Sequence, residues 1–357
     1  MSILGITNPF LVLATTCSLY THVLATRFQA RDNVSSHING VSCPDAEDID
    51  PCICTYYEID DSLHLDCTNI ADEEQLYSVF HAYIPFPDFL TLFVGTDHLE
   101  TLTDSVFGDV TFQEVFAIPS DIGTLTSVGP KTFMKSASTL KLLYLYDNKL
   151  SDFPFNTLCE YTQLSQFNLH NNPIPTFPII QSESLSSIDF GGSTFDTIPA
   201  GALDGLPNLH EFRVQHTNIT SMATGIFASL SKMYLISMKN TGLTHLYNHQ
   251  FEFNSDDINI IDLMANQISK VYNKAFKGVQ SAHIDLRANQ LTILPEETWR
   301  TVLDAGNEVW LQGNNLTCGC DIAWLVLEPT YHELVDDAYC HTGDRLVDLD
   351  PSDFENC

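Results

Sequence analysis

Between residues 89 and 317 apolar and polar positions alternate in short bursts that return at nearly constant spacing. The clearest copies are "LKLLYLYDNKL" (140–150), "LSQFNLHNNPI" (164–174), "INIIDLMANQI" (258–268) and "SAHIDLRANQL" (281–291). In the first copy, alternation sends Leu143 and Leu145 to one face of a short strand and Tyr144 and Tyr146 to the other. An Asn follows three residues after the second inward Leu, where its amide can bond the backbone of a tight turn. Looser copies begin at Phe89, Phe112, Leu185, Leu209, Met233 and Gly306, giving ten units whose starts lie 21 to 28 residues apart. The pattern predicts ten strands in parallel, one per unit, each followed by a turn and a return segment.

These stretches follow L-x-x-L-x-L-x-x-N-x-L, the leucine-rich repeat signature, so the chain resembles that fold family. The resemblance implies an α/β-type repeat solenoid, a horseshoe with short parallel strands on its concave face. Stacked Asn side chains should form a ladder through Asn148, Asn172, Asn266, Asn289 and Asn314. In the other units the same column reads Asp97, Ser120, Ser193, Thr217 and Thr241, shorter or charged groups that bond less completely, so the middle repeats should be looser. The 28-residue unit, starting at Phe112, is expected to carry its extra length as a convex loop.

A stack of this kind exposes apolar surface at both ends and needs caps. Cysteines sit where caps would be. The first 25 residues hold no Asp, Glu, Lys or Arg, and "PFLVLATTCSLY" followed by "HVLA" reads as a signal peptide cleaved after Ala25. Its removal takes Cys17 and leaves Cys43, Cys52, Cys54 and Cys67 before the repeats, Cys318, Cys320, Cys340 and Cys357 after them, and Cys159 alone. Secretion places the thiols in an oxidising compartment, where each group of four reads as two disulfides, with three pairings open to each. Zinc pairs usually leave two to four residues between thiols, whereas Cys52/Cys54 and Cys318/Cys320 leave one, so no metal is expected. The segmentation is then 1–25 signal peptide, 26–42 polar leader, 43–88 N-terminal cysteine cap and lead-in, 89–317 ten repeats, and 318–357 C-terminal cysteine cap. Trp324, in "IAWLVL", should cover the core of the last repeat, and Cys159 should be a free, buried thiol on the convex side.

An apolar fraction of 44% supports a packed core. With 46 acidic against 15 basic residues the formal charge is −31, which repels nucleic acid and anionic membranes. No later apolar run could span a membrane. Catalytic patterns are missing: "FGGSTF" (190–195) is a repeat turn and no nucleophile elbow, "YHELVDD" lacks the second His of H-E-x-x-H, and no glycine-rich phosphate loop occurs. The acidic runs "DAEDID" and "LVDDAY" lack calcium-loop spacing. The reading is of a secreted protein that is not an enzyme and needs no cofactor.

The N-terminal stretch "CPDAEDIDPCICTYYEIDDSLHLDCTNIADEEQLYSVF", the acidity, the length and the stop at Cys357 are similar to secreted arthropod leucine-rich repeat proteins of the family of the non-catalytic subunit of shrimp (Oplophorus-type) luciferin 2-monooxygenase. The resemblance implies an accessory role beside a small, separate luciferase-like catalytic chain; the alternative is an extracellular recognition or adhesion protein of immunity or matrix. It also implies interleaved cap disulfides, Cys43 to Cys54, Cys52 to Cys67, Cys318 to Cys340 and Cys320 to Cys357.

The residue between the two inward strand positions faces the concavity in every unit: Phe93, Phe116, Tyr144, Asn168, Asp189, Arg213, Ser237, Asp262, Asp285 and Trp310. Phe93, Phe116 and Tyr144, extended by Ile118 and Tyr146, should merge into one exposed apolar patch for a protein partner. Sequons at Asn33, Asn218 and Asn315 are expected glycan sites.

Overall fold

A computed structural model describes residues 42–255, 257–335 and 337–357. Among the described residues, the unit Cys43–Cys357 is built on one twelve-stranded sheet whose strands lie side by side in chain order. Ile53–Tyr57 and Ser62–Cys67 form an antiparallel hairpin. Ser62–Cys67 then pairs in parallel with Asp88–Gly95, and every later strand is parallel to the one before. The N-terminal cap therefore adds two strands to the ten of the repeats. Short second strands, such as Thr197–Ile198 beside Ser221–Met222, tie neighbouring units together on the return path.

Each unit buries its inward pair completely, as Leu143 and Leu145 or Ile261 and Leu263 do at 0% exposure. Behind them runs a spine of phenylalanines, with Phe212, Phe227, Phe251 and Phe276 in contact from one unit to the next. In the eight units from Leu140 onward the turn after the strand puts the residue before the ladder position in the left-handed region, including Asp147, Asn171, Ala265 and Ala288. That conformation costs roughly 1 kcal/mol for a residue with a Cβ, and the ladder amides offset it. Asn172 Nδ2 donates to the carbonyls of Leu145 (2.9 Å) and Leu169 (3.0 Å), while its Oδ1 accepts from Leu150 N (2.9 Å). Asn289 and Asn314 repeat the arrangement. In the middle of the stack the ladder thins: Ser193 Oγ is buried without a hydrogen bond, and Thr217 Oγ1 reaches Phe190 O only at 3.5 Å.

The long unit differs from expectation. Eight positions lead from Arg213 to Ser221 but eleven from Phe116 to Ser127, so most of the added length lies in the turn after the strand rather than on the convex return. Neither Asp97 nor Ser120 joins the ladder. Ser120 is exposed and is held by Asp97, whose carboxylate accepts its N–H at 3.1 Å and its hydroxyl at 3.1 Å. Thr96, before Asp97, is fully buried with its Oγ1 making no hydrogen bond, and Asn148 Nδ2 spans the gap to Ala117 O at 3.1 Å.

The ends are closed by the caps. The disulfides are Cys43–Cys54, Cys52–Cys67, Cys318–Cys340 and Cys320–Cys357. At the N-terminal end the helix Glu73–Phe80 buries Leu76, Val79 and Phe80 against the first repeats, and Asp72 caps it by accepting Gln75 N at 2.8 Å. At the other end Ile322, Leu325 and Val326 are the fully buried cover, while Trp324 is only half-buried; its indole N–H donates to Leu294 O at 3.0 Å and its ring packs on Tyr331. Cys159 is free but exposed, correcting the expectation of a buried thiol. It lies in the 3-10 turn Phe155–Glu160, where Thr157 and Leu158 take the inward places and turn the next side chain outward.

Candidate functional site: the concave sheet face

Cross-strand pairing sets the ten concave residues in one row: Phe93 opposite Phe116, Phe116 opposite Tyr144, Tyr144 opposite Asn168, and so on to Asp285 opposite Trp310. Three chemically distinct stretches follow along it.

The first is aromatic, and it differs from the expected patch. Phe93 and Phe116 are 6% and 3% exposed. Strands about 4.8 Å apart bring rings in register into contact, so Phe93 stacks on Phe116 at 5.0 Å and Phe116 meets the edge of Tyr144 at 5.1 Å. These two phenylalanines are packed within the fold and are not surface anchors. Tyr144, Tyr146 and Ile118 remain half-exposed, with Tyr144 and Tyr146 rings 6.4 Å apart and the Tyr144 hydroxyl donating to Gln166 Oε1.

The second stretch is polar. Asn168, Asp189, Asp262 and Asp285 each use Oδ1 to accept the N–H two residues on, at His170 (2.8 Å), Gly191 (2.8 Å), Met264 (3.0 Å) and Arg287 (3.0 Å). The Asx pattern satisfies strand-end donors that no neighbouring strand reaches, a role the one-letter pattern did not disclose. Around Asp189 the side chains converge: His170 Nδ1 lies 3.6 Å from its Oδ1, and Gln215 Nε2 lies 3.2 Å from its Oδ2. Gly191 forms the floor of this notch, for a Cβ there would stand 2.5 Å from His170 Nδ1 and 2.8 Å from Gln215 Nε2. Burial pulls the His170 pKa down, but the adjacent Asp189 carboxylate overrides it and holds the imidazole above its ordinary value. In the row Asp189 is flanked by Asn168 and Arg213, and the Arg213 guanidinium also reaches the Ser187 hydroxyl at 3.5 Å.

The third stretch is ionic. Arg287 grips the fully buried Asp285 with two bonds, Nε to Oδ1 at 3.0 Å and Nη2 to Oδ2 at 2.6 Å, and its guanidinium lies 4.8 Å from the Trp310 ring centre. Burial pushes the neighbouring Asp262 carboxyl above the usual carboxylate range, and the Asp285 charge adds to the rise. Among the described residues no group of His, Cys, Asp or Glu has metal-site geometry, and no helix is long and apolar enough to cross a membrane. Of the sequons, Asn218 and Asn315 are exposed, while Asn33 lies outside the described residues.

Residues 174–283 match the family pattern described as BspA type leucine rich repeat region, in six copies. The chain is 32% identical over 320 residues, 88% of its own length and 88% of the relative's, to the Oplophorus-luciferin 2-monooxygenase non-catalytic subunit of Oplophorus gracilirostris. It is 23% identical over 256 residues to fibromodulin of Bos taurus, covering 64% of this chain and 66% of that one. Among solved structures it is similar to the chain of a TLR13–ssRNA13 complex, with a TM-score of 0.62 and 19% identity over 76% of this chain and 41% of that longer one. The last likeness concerns the fold alone.

Proposed function

Since the chain belongs to the leucine-rich repeat family of the Oplophorus-luciferin 2-monooxygenase non-catalytic subunit, we propose that it is a secreted accessory protein that binds and supports a separate partner chain and has no catalytic centre of its own. The observation that carries this reading is the similarity along 88% of both chains to a subunit named as non-catalytic. The four cap disulfides agree with an oxidising, extracellular setting, reached through cleavage of the first 25 residues. A small luciferase-like catalytic chain is the partner the family suggests. The contact surface is the accessible edge of the aromatic row, Tyr144, Tyr146 and Ile118, with Phe116 packed against Tyr144 from the neighbouring strand.

The test is co-purification from the native secretion, with the pure chain assayed alone for monooxygenase activity. A defined partner should co-elute in fixed ratio and the isolated chain should be inactive. Activity in the isolated chain would sink the proposal. Tyr144→Ala with Tyr146→Ala should weaken partner affinity by about 2 kcal/mol, the scale of a hot-spot pair, while the fold survives.

The similarity to fibromodulin over 64% of the chain favours a second reading, an extracellular adhesion or matrix-binding protein unrelated to luminescence. Co-elution with a structural rather than a catalytic partner would select it.

A further inference from the structure

We propose that Asn218 and Asn315 carry N-linked glycans, and that both glycans stand on the same rim of the solenoid, the one where the strands leave the sheet. The inference rests on the secretory reading above. Both asparagines directly follow a ladder residue, Thr217 and Asn314, so they hold one register four units apart. Both are exposed, and so are the sequon threonines, Thr220 and Thr317. The local geometry repeats: Thr220 Oγ1 donates to Asp196 O at 3.2 Å and Thr317 Oγ1 to Thr292 O at 3.0 Å, in each case a carbonyl of the preceding unit. The threonines are thereby held down on the repeat while each asparagine stands outside it. Beside Asn218 the next unit has Gly242, and a Cβ there would come within 2.9 Å of Asn218 Oδ1; its absence leaves room for a substituted amide.

All ten repeat strands run in parallel, so residues after the strands share one rim and residues before them share the other. The glycans occupy the first rim. On the second, His210, Tyr234 and Asn259 line an open depression of about 500 Å³, with Asn259 Nδ2 donating to the Tyr234 hydroxyl at 2.7 Å. Sugar on the strand-exit rim keeps that edge solvated and leaves the concave row and the opposite rim for protein contact.

The modification is a transfer from a lipid-linked pyrophosphate oligosaccharide by the secretory transferase. The Asn Nδ2 bonds to the anomeric carbon and loses one proton, and the anomeric C–O bond breaks with its electron pair leaving on the pyrophosphate. The full chain expressed through a eukaryotic secretory pathway and recovered from the medium should fall in mass on N-glycosidase treatment, with Asn218 and Asn315 converted to aspartate. Asn218→Gln and Asn315→Gln should each abolish one step of the mass shift. Thr220→Ser should keep its step and Thr220→Ala should lose it, which separates sequon chemistry from misfolding. Secreted chain with intact asparagines at both positions overturns the sites and leaves secretion standing. Chain found only inside cells with reduced cap thiols overturns secretion and the glycans together.

Discussion

The Asp337 carboxylate accepts the backbone N–H of Leu311 at 2.7 Å, and its second oxygen accepts that of Gln312 at 3.2 Å. One unit earlier the equivalent donors are met differently: Leu286 N donates to Trp310 O in the next strand, and Arg287 N donates to the row carboxylate of Asp285. After Trp310 there is no next strand, and Trp310 has no carboxylate to offer. One side chain from the C-terminal cap replaces both acceptors and ends the sheet.

Asp337→Ala should therefore strip the acceptor from the N–H of buried Leu311 and from that of exposed Gln312, with the cost, on the order of 1–3 kcal/mol, falling mainly on the first. Urea unfolding of the purified variant checks this, and Asp337→Asn, which keeps an acceptor oxygen, should lose less. Equal stability of Asp337→Ala and wild type would show that water replaces the carboxylate.

The ladder makes a paired prediction. Asn172→Ala strips acceptor and donor partners from the backbone of two units and should destabilise by roughly 3 kcal/mol. Ser193→Ala removes a hydroxyl that makes no hydrogen bond and should be close to neutral. Denaturant midpoints of the two variants, measured side by side, decide the matter.

Gly123 sits in the enlarged turn of the long unit. A Cβ there would stand 2.1 Å from Asn148 Oδ1 and 2.7 Å from Thr96 Oγ1. Gly123→Ala should cost about 1–3 kcal/mol through overpacking, read as a lowered thermal midpoint, whereas Gly225→Ala meets no atom within 4 Å and suffers only from its positive φ of 72°.

Phe116→Ala should destabilise by about 3–5 kcal/mol, as for a buried aromatic, and should do so in the absence of any partner. A variant that folds with wild-type stability would return Phe116 to the surface and to the partner interface.

His170 has a folded-state pKa above its unfolded value because the Asp189 charge outweighs burial. Its stabilisation is complete below the unfolded pKa near 6.5 and is lost as pH rises through the folded value. The thermal midpoint should thus rise as pH falls from 8 towards 6, and Asp189→Asn should flatten that part of the profile. An unchanged slope in Asp189→Asn would assign the effect to other groups.

Most of the architecture was legible because it is local. Alternation within "LYLYDN" assigns Leu143 and Leu145 to the core, and the Asn three residues later marks the turn; both follow from backbone geometry repeated in each unit. The same logic places Phe93, Phe116 and Tyr144 in one row. Their accessibility was not legible, since a ring's exposure depends on the size of the side chain across from it. Ser120 misled for a related reason: a three-residue insertion shifts the ladder by changing the turn, and periodicity is blind to where inside a unit the extra residues go.

The amino-acid sequence by itself determined the repeat, the parallel sheet, the concave row and the need for caps, because each is dictated by which residues alternate along a single strand. Only the tertiary structure decided that Asn168, Asp189, Asp262 and Asp285 serve the backbone, that Cys159 turns outward, and that Asp337 closes the sheet. Those roles depend on which donors are left over once neighbouring units have paired, and that remainder exists only after the chain has stacked.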